Sequence, residues 1–339
     1  MKILSTDPLN GETSLENLSD SITPESQFFV RSHFARPDLA RGKHTLQISG
    51  AVERSLTLRI EDLEAMDTRT LPVTLECAGN GRAGLRPLPA GEAWGLGAVG
   101  TVRWTGVPLR AVLESARLRS DVIEILAIGA DRGRPPEIAD VIPFARSLPV
   151  SKAIDPDTLL ALRMNDEPIP PEHGAPVRLV VPGWYGMASV KWLERIEALA
   201  EPFGGYYQIR RYMFDHADDK SPTPVRTMRV RSLIVSPSDG EAVRKGHVAV
   251  RGKAWSGDAE VVSVQVEVDG LSREASLLPP VSPHAWRTWE FAWDAIAPGR
   301  HVLRSRATDA KGAAQPDVGR WNRHGYGNNS AQAITVIVQ

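Results

Sequence analysis

Cysteine is nearly absent: the 339-residue chain has one, Cys77. A single thiol makes no internal disulfide, which fits a reducing compartment. It also rules out a CxxC zinc site, a CxxCH haem attachment and an iron–sulfur cluster held by the protein. Long apolar runs are missing as well. No stretch approaches the roughly 20 residues that span a bilayer. The opening MKILSTDPLNGETSLEN has neither the apolar core of a secretion signal nor a twin arginine. The expectation is a cytoplasmic protein with no membrane partner, or a periplasmic one if a leader has been removed. Neither sign of charge is in excess, since 40 Lys and Arg against 41 Asp and Glu leave a net −1. Nothing global therefore draws the chain to nucleic acid. There is no GxSxG elbow and no HExxH pair, so a serine hydrolase of the elbow type and a zincin are unsupported. No internal repeat or low-complexity tract occurs.

What is present divides the chain. Its length suits two domains, and the composition shifts near residue 220. Before that point helix and strand signals mix. VPLRAVLESARL (107–118) places Leu109, Val112, Leu113 and Ala116 at helical spacing, with Pro108 suited to a first turn. VRLVV (177–181) reads as a buried strand stopped by Pro182-Gly183, and VKWLERIEAL (190–199) is ambiguous between strand and helix. KSPTPVR (220–226) reads as a linker. Beyond it, two-residue alternation takes over. Val262, Val264, Val266 and Val268 share one face, as do Trp289, Phe291 and Trp293, and ITVIV closes the chain. These runs, separated by DG, PG and KG turns, predict a β-sandwich of immunoglobulin type without a cysteine pair. The expected domains are 1–221 and 226–339, the first a mixed α/β unit, α+β overall.

GLGAVG (95–100) has the GxGxxG spacing but follows no strand and leads into the extended TVRW, so it reads as an irregular glycine loop. DHADD (215–219) reads as a solvated acidic loop rather than a metal cluster. Cys77 lies in VTLECAGNGRAG, at the mouth of a strand. A lone cysteine is most often a small buried hydrophobe. Here Arg82 follows across the Gly79-Asn80-Gly81 turn, and positive charge stabilises a thiolate. Thiolates are ligands for soft or high-valent transition metals. Arg31 and His33 in FFVRSH, His173 and Arg178 in EHGAPVR, and Ser189 and Lys191 in GMASVK are each ordinary surface chemistry alone. Together they suit a phosphate-bearing ligand, because guanidinium, ammonium and loop amides all favour anions.

LECAGNGR, FFVRSHF, HGAPVRLVVPGWYGMASVKWL and WNRHGYGNNSA, in this order and spacing, resemble the sulfite oxidase family of molybdenum enzymes from about Phe28 to the C-terminus. The resemblance implies a molybdopterin-binding domain followed by an immunoglobulin-like dimerisation domain. It implies Cys77 as the one protein ligand of molybdenum, with one molybdenum–molybdopterin per chain and no haem. It implies that Phe29, Val30, Arg31, Ser32, His33, Asp131, His173, Arg178, Ser189, Val190 and Lys191 hold the pterin and its phosphate. Arg31 and Arg82 match arginines that face the substrate oxyanion, Tyr212 a tyrosine near the metal, and Trp94 a pocket wall. The implied activity is oxygen transfer at sulfur, sulfite or another small sulfur compound being oxidised, with electrons leaving to an external acceptor such as a cytochrome. A homodimer is implied too. The alternatives are an S-oxide or N-oxide reductase of the same fold, or a cofactor-free interaction protein. Three departures stand out: Gly81-Arg82 after CAGN, Ser32 between Arg31 and His33, and Ala333, beside Gln332, where an arginine of the C-terminal domain is expected. The last predicts an oxyanion pocket poor in positive charge.

Overall fold

A computed structural model describes residues 1–339. The first domain is built on two five-stranded sheets. One runs Glu167–Pro168, Leu159–Met164, Val99–Pro108, Arg69–Glu76, with Arg178–Val180 also paired to Leu159–Met164. Its strands are buried along most of their length, Leu159 to Leu162 without a break, as expected where both faces of a sheet are covered. The other runs Leu56–Arg59, Thr45–Gly50, Leu193–Leu199, Glu124–Gly133, Ile142–Pro149. The helix Leu109–Ala116 buries Leu109, Val112, Leu113 and Ala116, the residues its spacing selects, and ends at Arg117 in the left-handed region at φ 57°. No helix is long and apolar enough to cross a membrane.

The ambiguous segment VKWLERIEAL is a strand, Leu193–Leu199, parallel to Thr45–Gly50 and antiparallel to Glu124–Gly133. A register shift between Leu193 and Arg195 sets the buried Leu193 and Ile196 three apart, which mimics a helical period. The segment read as a linker is exposed apart from Val225, but it is anchored: Thr223–Pro224 pairs with Met213–Phe214, and Val225 is fully buried with its N–H on the Tyr212 carbonyl at 2.8 Å.

The second domain is a β-sandwich. Its four-stranded sheet runs Arg231–Ser236, Gly246–Trp255, Arg287–Ala295, Ser276–Leu277. The facing sheet runs Ala242–Val243, Ala333–Val338, Gly299–Asp309, Val261–Val268, Leu271–Glu274. Val264, Val266, Trp289, Trp293, Leu303, Ile334 and Val336 fill the space between them. Val262 departs from the expected face. The register shifts between Val261 and Ser263, so Val261 is buried and Val262 exposed.

The domains are stitched together around one edge of the first. Thr74 donates its N–H to the His284 carbonyl at 2.9 Å and accepts the Trp286 N–H at 2.7 Å. Gly327 donates to the Ala78 carbonyl, and the Asn328 amide to the Gly81 carbonyl, both at 2.7 Å. These bonds fall on the strand Arg69–Glu76 and the turn that follows it, where Cys77 sits.

Candidate active site

Cys77 leaves the strand with its N–H on the Ala98 carbonyl at 2.8 Å and its own carbonyl accepting the Asn80 N–H at 2.9 Å. Asn80 fixes the turn from both sides, donating to Glu76 Oε1 at 3.0 Å and accepting the Ala98 N–H at 3.1 Å. Gly81 is left-handed at φ 83°. At Gly79 a Cβ would stand 2.5 Å from the Arg82 guanidinium, so glycine is what lets Arg82 lie over the turn. Cys77 is 7% exposed and borders two cavities at once. Burial pushes its thiol pKa up, while Arg31 and Arg82 pull the other way. The bare site therefore holds a thiol, and a bound cation is what would make a thiolate its stable form.

The first cavity is lined by Phe29, Val30, Arg31, Ser32, His33, Asp131, His173, Arg178, Ser189 and Lys191 among others. The segment from Phe29 is held extended by the pairing of Val30 with Gly11. Asn10 then accepts from the Ser32 N–H at 2.9 Å and from Arg31 Nη1 at 3.1 Å. Lys191 Nζ donates to Ser32 Oγ at 2.9 Å and to the Glu172 carbonyl at 2.8 Å. Arg178 spans the loop carbonyls of His173 at 2.7 Å and Ser189 at 3.0 Å. Burial dominates the titration of all of them. It lowers Lys191 well below an ordinary lysine, lowers Arg178 to about 9, and lowers His173 to about 3, where the charges of Lys191 and Arg178 add to it. Asp131 is raised to about 7 by the same desolvation, against the pull of Lys191, and its Oδ1 is buried with no partner.

Buried cations held by neutral carbonyls and an orphaned carboxyl oxygen are costly in an empty protein. They fit a ligand with an anionic group for the cations and polar ring nitrogens for Asp131, as a phosphate-bearing pterin has. Cys77 at the border supplies the soft donor. Val190 is the exception among the expected residues. Its side chain packs in the main core and its carbonyl accepts the Leu179 N–H at 2.8 Å, away from the cavity.

The second cavity, about 190 Å³, opens from Cys77 on the other side, with Arg31, His33, Arg82, Trp94 and Tyr212 on its walls. Arg82 donates to the His324 carbonyl at 3.0 Å and the Glu92 carbonyl at 2.7 Å. Arg31 is likewise held by the Asn10 amide and the Ser32 carbonyl. Neither arginine has a carboxylate partner, so their charges face the cavity uncompensated. Tyr212, left-handed at φ 54°, bonds His33 Nε2 through its hydroxyl at 2.6 Å. His33 stacks on Phe144 at 4.4 Å, and burial plus the surrounding cations hold it well below an ordinary histidine.

Residues 33–207 match the oxidoreductase molybdopterin binding domain, and residues 223–339 the Mo-co oxidoreductase dimerisation domain. The sulfite oxidase of Gallus gallus is 32% identical over 353 residues, covering 96% of this chain and 75% of that protein. The chain belongs to the sulfite oxidase family. The mitochondrial sulfite oxidase of Rattus norvegicus is 34% identical over 363 residues, all of this chain, which spans 66% of that protein's length. The crystal structure of the sulfane dehydrogenase SoxCD from Paracoccus pantotrophus superposes with a TM-score of 0.86 at 29% identity, over 98% of this chain and 85% of that one.

Against the family pattern, the expectation about Ala333 fails. Ala333 is exposed, opposite Arg304 in the outer sheet, and the Gln332 side chain accepts the Ile234 N–H at 2.8 Å inside the second domain. The tail meets the site earlier, at His324 to Asn328. Nor is the pocket poor in positive charge, because Arg134 and Arg211 line it with Arg31 and Arg82. Sequence reasoning missed Arg211 although it adjoins Tyr212, and missed Arg134 three residues past Asp131. It also missed Asn10 and Glu76, whose partners lie 22 and 155 residues away and leave no local signal.

Proposed function

We propose that this protein is a molybdenum-dependent oxidase of a small sulfur oxyanion, sulfite or a close relative. The carrying observation is the position of Cys77 between a cavity of buried cations and a cavity walled by arginines. Lys191, Arg178, His173, Ser189 and Asp131 would hold the pterin and its phosphate, and Cys77 the metal. When bound, the molybdenum–pterin group supplies two-electron oxygen-transfer chemistry. The chain's own residues do the rest. Arg31 and Arg82 neutralise the oxyanion and turn its sulfur towards Cys77, which is an orientation effect. Their fixed carbonyl partners keep them preorganised, so little reorganisation is needed as charge moves. The Tyr212–His33 pair closes the inner end and limits water. The overall change is sulfite plus water to sulfate, two protons and two electrons, the electrons going to an external acceptor such as a cytochrome. The match to a dimerisation domain supports a homodimer.

Protein made in a host that supplies molybdopterin should contain stoichiometric molybdenum, reduce ferricyanide in the presence of sulfite, and give a dimer mass by light scattering. Molybdenum-replete protein that leaves sulfite untouched would overturn the substrate assignment. A monomer mass would overturn the dimer.

A further inference from the structure

Besides Arg31 and Arg82 the second cavity is lined by Arg134 and Arg211, which no family motif marked. Arg211 and Tyr212 are neighbours in sequence and both line it. Adjacent residues of an extended chain face opposite ways, and the left-handed backbone at Tyr212 breaks that alternation. Arg211 is fixed by three contacts. Nε donates to the Tyr206 hydroxyl at 2.9 Å, Nη1 bonds His324 Nδ1 at 3.2 Å, and Nη2 meets Glu137 Oε1 at 2.8 Å. A guanidinium has five N–H donors, so one remains on each terminal nitrogen. Glu137 is half exposed and pairs at the rim, where screening is strong. The side chain of Arg211 is itself only 26% exposed. The cavity, about 190 Å³, is below the roughly 300–1,000 Å³ of organic-ligand pockets. It suits an anion of a few atoms rather than a bulky thioether or amine oxide.

We infer that Arg211 is a substrate-selecting residue, binding the doubly charged oxyanion in the cavity that ends at Cys77. This rests on the function proposed above. It places a further substrate-facing arginine on the first domain, with His324 of the second domain positioning it from behind. A monoanion or neutral sulfur compound gains less from a further charge, so Arg211 biases the pocket towards dianions.

The test uses molybdenum-loaded wild type, Arg211→Gln and Arg211→Lys, with sulfite as donor and ferricyanide as acceptor. A charge-assisted hydrogen bond lost from a mostly buried site should raise KM roughly tenfold in Arg211→Gln. The turnover number should stay within about twofold if ground and transition states are bound alike. Arg211→Lys should lie between. Sulfate protection against thermal unfolding provides a second readout, and Arg211→Gln should lose most of it while keeping its molybdenum. An unchanged KM together with unchanged sulfate protection, or a loss confined to the turnover number, overturns the inference. Failure of wild type to oxidise sulfite counts instead against the proposed function, and sulfate protection then judges Arg211 alone.

Discussion

Glu76 and Arg231 form an ion pair across the two domains, 3.0 Å from Oε1 to Nη1, with each side chain 2% exposed. Glu76 also accepts from Trp255 Nε1 at 2.9 Å and from the Asn80 amide at 3.0 Å. Arg231 and Trp255 belong to the second domain, and Glu76 directly precedes Cys77. The second domain is thus a structural wall of the Cys77 turn. A buried pair of this kind contributes little against an apolar pair of the same shape, but removing one partner strands the other charge.

Arg231→Met should therefore destabilise the protein by about 3–5 kcal/mol, with Glu76 left buried and unpaired. Glu76→Gln in the same chain should recover a large part of that loss, since no charge then remains. Urea unfolding of the two single variants and the double variant measures the coupling. Single losses that simply add would show that the two groups do not depend on each other.

Cys77→Ser should fold, because the thiol is small and its backbone bonds do not involve sulfur. The Gly79 N–H that meets the sulfur can meet the hydroxyl, so the loss should stay below the roughly 1–3 kcal/mol of an unpartnered buried hydroxyl. The variant should lose sulfite oxidation, since a hydroxyl is a harder and weaker ligand than a thiolate. Metal analysis and unfolding curves on the same preparation separate the two effects. Wild-type turnover in Cys77→Ser would remove Cys77 from the site.

Much of this was legible in local pattern. The helix Leu109–Ala116 and the Trp289–Trp293 alternation follow from side-chain period, and the strand that delivers Cys77 from its strand-forming residue types. What was not legible depends on register or on distant partners. A one-residue shift hid the strand Leu193–Leu199 and turned Val262 outward. The proline-rich segment looked like a linker because its pairing partner, Met213–Phe214, is too short to announce itself. Arg211 became visible only when the fold brought Tyr206 and His324 to it. Ala333 was misplaced because alignment by spacing carries no information on where the tail leaves the site.

Tyr212→Phe should expose the role of the His33 contact. His33 is half-buried and bonds the Tyr212 hydroxyl through Nε2 at 2.6 Å. Removing that hydroxyl leaves a half-buried ring nitrogen unpartnered, at a cost of up to about 1–3 kcal/mol. The ring still packs on Tyr326 at 5.0 Å, so the fold should persist. Sulfite turnover should fall while molybdenum content does not. Equal stability of Tyr212→Phe and wild type in thermal unfolding would mean that His33 finds another partner.

In the protein prepared without the cofactor, acid should work against His173 and His33. His173 is lowered to about 3 by burial and by the charges of Lys191 and Arg178, and His33 is lowered well below its ordinary value. In the unfolded chain both titrate near ~6.5. Below that pH the unfolded state holds protons that the folded state refuses. Their contribution to stability is complete above the unfolded pKa and is lost as pH falls towards the folded one. Each such proton costs about 1.4 kcal/mol per pH unit. Asp131 acts in the opposite sense. Its folded pKa is raised to about 7, so the folded state holds a proton that the unfolded carboxyl, near ~3.9, gives up. That contribution is full below the unfolded value and disappears as pH rises through 7. Between pH 6.5 and 5 the histidines oppose Asp131 and Glu76, whose carboxyl burial also raises, so the part of His173 is read from a variant and not from the total slope. His173→Gln removes one of the two histidine protons, so its unfolding free energy should depend on pH less steeply by about 1.4 kcal/mol per unit. Urea midpoints of both proteins across that window give the comparison. An identical pH slope in His173→Gln would show that His173 takes up its proton in the folded protein as readily as in the unfolded chain.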